Sequence, residues 1–173
     1  MKNNQSERKK SSMPLRINRK SFLGVLSLIA QELTESISTK FNLKKPKEEE
    51  VLFNVRLRAE SNNPKSVLKI IDDYAYKKTF LMNIGEEKGL LLENAINESK
   101  AKNILELGVY LGYSTIRILK NLDENSKLTS IESSKKFAEI ASENINIAGL
   151  SNKHKLIIGK STEVIPSLKE KYD

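Results

Sequence analysis

The sequence predicts an α/β fold of the doubly wound type, on three observations. Asn103-Ile-Leu-Glu-Leu107 is a short apolar run with strand character that leads through Gly108 and Gly112 into helix-forming sequence near Ser114. Lys127-Leu-Thr-Ser-Ile-Glu132 is a second such run, and it ends on an acid 24 residues beyond Gly108. Lys155-Leu-Ile-Ile158 is a third, with helical periodicity in the intervals. In such folds a strand-end carboxylate about 20 residues after the first glycine accepts from the ribose of a bound nucleoside. Gly108 and Gly112 allow backbone angles closed to other residues and let a ligand lie against the main chain. The glycines stand as G-x-x-x-G rather than the G-x-G-x-x-G of a dinucleotide site, and there is no G-x-x-x-x-G-K-[ST] phosphate loop. A phosphate-free nucleoside therefore fits the pattern better.

The 173 residues suffice for one domain with a core. Cysteine is absent, which excludes disulfides, a thiolate nucleophile and cysteine-ligated metal. The formal charge is +8, but residues 1–20 carry seven Lys or Arg against Glu7, so only +2 remains for the other 153 residues. The basicity belongs to a tail, and the folded part makes no electrostatic case for nucleic acid. Residues 1–20 read as disordered. Residues 21–50 read as an N-terminal helix and linker around the apolar run Phe22-Leu-Gly-Val-Leu-Ser-Leu-Ile-Ala30. Two readings stand: a signal-like segment for export or anchoring, or an amphipathic helix over 21–39 that packs on the domain or lies on a membrane surface. The run falls short of the ~20 apolar residues that a bilayer-spanning helix needs.

Residues 44–50 read as a charged linker whose Pro46 suits a helix start, followed by a helix over 51–60 that breaks at Ser61-Asn-Asn-Pro64. A second helix begins near Pro64 with Val67, Leu68, Ile71, Tyr74 and Ala75 on one face. A loop over 79–85 precedes a helix over 86–98, where Leu91, Leu92, Ala95 and Ile96 are expected to reach the core and Lys88 to be a solvated charge. After the first strand, Ile116, Leu119 and Leu122 face inward. Ser134 caps a helix bearing Phe137, Ala141 and Ile145, and Gly149 ends it. Thr162 reads as the cap of the last helix, with Pro166 early in it. His154, the only histidine, reads as a surface residue.

Glu106-Leu-Gly-Val-Tyr-Leu-Gly-Tyr-Ser114, Met82-Asn-Ile-Gly-Glu-Glu-Lys-Gly89, Ser130-Ile-Glu132 and Gly159-Lys-Ser-Thr-Glu-Val-Ile-Pro166 together resemble, in order and spacing, the catechol O-methyltransferase family. The likeness runs over about 51–173. It implies a Rossmann-like S-adenosylmethionine-dependent methyltransferase fold, truncated after the third strand and its helix, and methyl transfer to a catechol-type hydroxyl. By resemblance, Glu132, with Ser133 beside it, would take the ribose hydroxyls and Glu106 the ammonium, although Glu106 also reads as a plain strand-end acid. Ser114 and the N–H groups near Gly108 would meet the carboxylate. Tyr110 and Tyr113 belong to the same cofactor turn. The backbone around Asn83, Ile84 and Gly85 would meet the methionine part. Ser161 and Thr162 match the adenine edge, with Thr162 in place of a glutamine. Met82 would face the methyl donor and Phe80 the flat substrate, where the family carries tryptophan; the plain alternative for both is core packing.

In the family a magnesium ion binds both catechol hydroxyls, and its ligands and the lysine base come from beyond the point that Asp173 matches. Mg2+ is therefore expected of a full-length member, with no metal ligand and no catalytic residue in this chain. The first strand is expected to need a fourth as its partner, and a truncated product, a fragment or half of a split protein is expected. The implied partners are a small phenol or catechol, a second chain supplying the missing half and, through the N-terminus, weak membrane contact, but no nucleic acid. A cytoplasmic location is expected, with a membrane-associated or exported one as the alternative. A non-catalytic S-adenosylmethionine-binding or interaction module stands beside the enzyme reading.

Overall fold

The computed structural model describes residues 22–40 and 45–173, so the basic tail expected over 1–20 lies outside the described residues. Four helices come first, α1 (Phe22–Lys40), α2 (Lys47–Arg58), α3 (Pro64–Lys77) and α4 (Gly85–Ser99). Strand β1 (Asn103–Leu107), helix α5 (Tyr113–Leu119), strand β2 (Lys127–Glu132), helix α6 (Lys135–Ile147) and strand β3 (His154–Ile158) follow. A short α7 (Ser161–Val164) runs into a 3-10 turn, Ile165–Ser167. The three strands are parallel in the order β1-β2-β3, with Glu106 opposite Ser130 and Leu128 opposite His154. Helical crossovers make the strands parallel, because parallel neighbours need a connection longer than a hairpin. This is the α/β arrangement the sequence predicts.

The core lies between the helices and the sheet. Val51 and Val55 of α2, Val67 and Ile71 of α3, Ile116 and Leu119 of α5, Leu128 of β2 and Ile145 of α6 are all buried. Helix starts follow from their caps. Asn63 accepts from Ser66 N–H at 3.1 Å ahead of Pro64, and Ser134 accepts from Phe137 N–H at 3.3 Å. Gly149, at φ +76°, ends α6 so close to Asn62 that a Cβ there would stand 2.7 Å from its Oδ1. Asn62 N–H in turn donates to Ile147 O at 2.8 Å, joining the α2–α3 turn to the end of α6.

Several expectations are corrected. Residues 47–50 of the stretch read as a linker form the first turn of α2, because Glu48, Glu49 and Glu50 soon after Pro46 favour a helix N-terminus. Leu91 (69% exposed) and Ala95 face outward, since α4 turns Gly89 and Glu93 to the interior. Leu92 and Ile96 do pack against the core, and Lys88 is exposed as expected. Thr162 sits inside the first turn of α7, where Lys160 holds the cap position, and Pro166 belongs to the 3-10 turn. The outer edge of β1 is met at its start by Asp173. Its N–H donates to Asn103 O at 2.9 Å, and its carboxylate accepts from Lys102 and Asn103 N–H at 2.6 and 2.9 Å.

The interior turned in by α4 is polar. Arg117 of α5 donates to Glu93 and to Tyr113 Oη (2.8 Å), Tyr113 donates to Asp72 Oδ2 (2.9 Å), and Lys120 reaches Glu93 Oε2 at 2.9 Å. The guanidinium also lies 5.0 Å from the centre of the Tyr113 ring. Burial pushes the Asp72 carboxyl up to about 6, against the opposing hydrogen bond from Tyr113. This network ties α3, α4 and α5 together. Removing one member of a buried pair strands the other charge, so Glu93→Ala is expected to destabilise the protein by about 3 kcal/mol, against less than ~1 kcal/mol for Lys77→Ala on an exposed pair. Urea unfolding of both variants checks this.

Candidate functional site

The site is built where β1 and β2 end side by side. Gly108 N–H donates to Ile131 O at 2.8 Å, extending the ladder by one step, and the chain then turns away at φ +82°. A Cβ on Gly108 would meet no atom within 4 Å, so the space above it is open. Tyr110 follows at φ +52°, unusual for a residue with a side chain. It is held there by its hydroxyl donating to Glu48 Oε1 (2.7 Å) and by its ring meeting Phe137 edge-on at 5.0 Å.

Glu132, at the end of β2, fixes this turn. Its Oε2 accepts from Val109 N–H (2.9 Å) and Tyr110 N–H (3.0 Å), and its Oε1 from Ser134 N–H (2.8 Å). Burial works to raise its pKa, but the N–H groups of Ser134, Tyr110 and Val109 together hold it below the usual carboxylate range. Glu132 is therefore ionised at neutral pH.

Glu106 lies one strand over, and three hydroxyls converge on it. Ser114 donates to Oε1 at 2.6 Å, while Thr115 and Ser130 donate to Oε2 at 2.8 Å each. Burial raises its pKa, and the three hydroxyl donors oppose the rise without cancelling it. Behind Ser130, His154 Nε2 stands 2.9 Å from the same Oγ. With the Ser130 proton directed to Glu106, the contact needs a proton on Nε2, which sets the tautomer. His154 is thus half-buried rather than on the surface. The physical reason is that β3 starts one residue earlier than expected, so His154 shares the sheet face of Ser130 and Glu106.

The remaining predicted residues divide between site and scaffold. Met82 is 66% exposed and is not core. Phe80 is half-buried beside it, and Ile84 and Gly85 lead into α4. The loop also holds Asn83, whose Nδ2 is buried with no protein partner. Thr79 is tied to α1 by Gln31 Nε2 at 2.6 Å. Tyr113 is buried, its hydroxyl committed to Asp72 and Arg117. The N–H groups of Gly108, Val109, Tyr110 and Gly112 all find acceptors within the protein. Ser133 and Thr162 are exposed and Ser161 is half-buried just past β3. Thr115, Ser130 and His154 are site-lining polar groups to which sequence reading gave no role. For Ser130 and His154 the available signal was strand alternation in register with Glu106. Among the described residues no group of three or more His, Cys, Asp or Glu could hold a metal ion.

The sequence profile of the O-methyltransferase family matches residues 58–173. The chain belongs to that family. It is similar to the catechol O-methyltransferase of Mus musculus, at 38% identity over 127 residues, covering 73% of this chain and 48% of that protein. It is also similar to catechol O-methyltransferase B of Danio rerio, at 32% identity over 87% of this chain and 57% of the relative. The chain spans about half the length of the curated relatives it matches. Among solved structures, the O-methyltransferase from Bacillus cereus in complex with SAH superposes at TM-score 0.52 and 24% identity, over 82% of this chain and 56% of that one. A putative caffeoyl-CoA O-methyltransferase from Staphylococcus aureus does so at 0.55 and 22%, over 61% and 50%. The fold is thus the Rossmann-like class I S-adenosylmethionine-dependent methyltransferase fold.

Burial lowers the His154 pKa from 6.5 to about 4. A depressed histidine pKa contributes stability that is present above pH 6.5 and is lost as pH falls through about 4. Because the chain has a single histidine, an NMR titration of its ring is unambiguous. A midpoint near 4 with the Nε2–H tautomer is expected, and a midpoint near 6.5 would contradict the buried contact to Ser130.

Proposed function

We propose that the protein is the cofactor-holding part of an S-adenosylmethionine-dependent O-methyltransferase whose acceptor is a catechol-type hydroxyl. The observation that carries this is the pair of carboxylates, Glu106 and Glu132, on the ends of adjacent parallel strands beside the open space over Gly108. Two acids at that place suit a ligand with a diol at one point and an ammonium at another. S-adenosylmethionine, when bound, supplies a methyl group activated by its sulfonium.

The chain's own residues divide the work of holding it. A carboxylate offers roughly four lone-pair directions, and three on Glu132 receive backbone N–H groups. The Ser133 hydroxyl lies 3.5 Å from Oε1 along the fourth, so the ribose hydroxyls displace that long contact and share with the N–H donors. Glu106 meets the ammonium with its charge. Ser114 already donates to Glu106, so a ligand carboxylate gains that donor only if the hydroxyl rotates. The unpartnered Asn83 amide is a donor in the loop that, with Ile84 and Gly85, meets the methionine part. Ser161 and Thr162 lie along the adenine edge. Phe80 and Met82 supply the apolar wall for a flat phenol.

The similarity to catechol O-methyltransferases supports the catechol class. Mg2+, expected of full-length relatives, has no fitting ligand group among the described residues. The carboxylate pair accounts for binding alone, so a second reading is binding without transfer. Isothermal calorimetry with S-adenosylmethionine tests the common part. Saturable binding is expected, weakened about tenfold to a hundredfold by Glu132→Gln or Glu106→Gln, the span expected for hydrogen bonds to a charged group. Methyl transfer to catechol with added Mg2+ would remove the second reading. Binding without transfer supports that reading, and no binding overturns both.

A further inference from the structure

His154 is the one histidine of the chain, and its ring is turned inward from an edge strand. Among the described strands β3 pairs with β2 alone. At its first position, opposite Leu128, His154 shares a sheet face with Ser130 and Glu106. The ring is half-buried, and Ser130 is fully buried. His154 Nε2 lies 2.9 Å from Ser130 Oγ, and the Ser130 hydroxyl donates to Glu106 Oε2 at 2.8 Å. The three side chains therefore form one hydrogen-bonded chain across all three strands, from the β3 edge to a carboxylate of the site.

A hydroxyl has one proton to give and two lone pairs to offer. With its proton on Glu106, Ser130 accepts from Nε2–H, and burial, which holds the imidazole pKa at about 4, leaves the neutral ring with that one proton to donate. The reverse order, Ser130 donating to a bare Nε2, would take a donor away from Glu106. A donor bonded to a hydroxyl polarises it, so Nε2–H strengthens the bond from Ser130 to Glu106. The groups facing Glu106 are Ser114 and Thr115 from α5, Ser130 and the charge of Glu132 from β2 and, one step further, His154 from β3. Burial and the Glu132 charge favour the neutral carboxyl, whereas the hydroxyls favour the anion. A hydrogen bond at Ser130 thus bears directly on whether Glu106 is charged.

We propose that His154 is a positioning residue for the ammonium group of the cofactor: its Nε2–H turns the Ser130 hydroxyl to Glu106 and so keeps that carboxylate in the anionic form the ammonium needs. This role rests on Glu106 being the partner of the ammonium, as proposed above. His154 acts through Ser130 rather than by touching the ligand.

Calorimetry on the full chain at a series of pH values tests it, with S-adenosylmethionine and with 5′-methylthioadenosine, which has the nucleoside but no amino group. The affinity of the wild type for S-adenosylmethionine is expected to fall as pH drops and Glu106 takes up a proton. Losing a donor to the anion raises a carboxyl pKa, so in Ser130→Ala and His154→Leu that fall should begin at higher pH. The expected displacement is about half to one pH unit, or about a threefold to tenfold loss of affinity on the falling limb, the worth of one hydrogen bond. His154→Gln, whose amide donates in place of Nε2–H, should return most of the way to the wild-type profile. Affinity for 5′-methylthioadenosine should be the same in all four proteins. NMR of the wild type gives a readout that needs no substitution: the Nε2–H resonance should shift when S-adenosylmethionine binds and stay in place with 5′-methylthioadenosine. If the wild type binds S-adenosylmethionine but the variants follow its pH profile, or lose affinity for both ligands alike, the role of His154 is overturned and the cofactor reading stands. A resonance that S-adenosylmethionine leaves unmoved overturns it too, whatever the variants do. A wild type that does not bind S-adenosylmethionine overturns both.

Discussion

The carboxylate of Glu132 ties together three pieces of chain at one point. It stands at the end of the central strand, takes two N–H groups from the β1–α5 turn and takes one from the start of α6. The turn needs that grip. Tyr110 sits in the left-handed region, which costs a residue with a side chain roughly 1–2 kcal/mol, and two charge-assisted hydrogen bonds outweigh such a cost. The open space over Gly108 exists because the turn is held in this shape.

The two acids of the site are held by different kinds of donor, and their behaviour differs accordingly. Glu132 is surrounded by main-chain N–H groups, whose directions are set by the backbone, and its pKa is lowered. Glu106 is surrounded by hydroxyls, which rotate, and burial prevails to raise its pKa. A fixed anion suits a neutral diol, which needs only an acceptor in the right place. An anion with adjustable donors suits a cation, because hydroxyl protons turn aside as positive charge arrives. His154 limits that adjustability at one of the three hydroxyls, by occupying the Ser130 lone pair from behind.

Much of this was legible in the sequence, and the failures share a cause. The strands, the Gly108 turn, Glu132, the Ser134 cap and the Gly149 stop are local features, each set by a few adjacent residues. α4 was misread because its inward face carries Glu93 for Arg117, and a polar partner on a distant helix leaves no trace in apolar periodicity. His154 was misread because β3 takes in one residue more than expected, and strand alternation then places its ring on the face of Ser130. Ser130 and Thr115 were passed over because a hydroxyl among apolar neighbours takes its meaning from Glu106 across the sheet. The opening residues of α2 looked like a linker because acids favourable to a helix N-terminus resemble solvated loop residues.

The most direct measurement is a crystal structure of this chain grown with S-adenosylmethionine. The expected result is a ligand over Gly108, its ribose hydroxyls on the Glu132 carboxylate and its ammonium toward Glu106, with Val109 and Tyr110 still donating to Glu132. A ligand bound elsewhere, or a Glu132 side chain turned away from the ribose, would contradict the division of roles between the two acids.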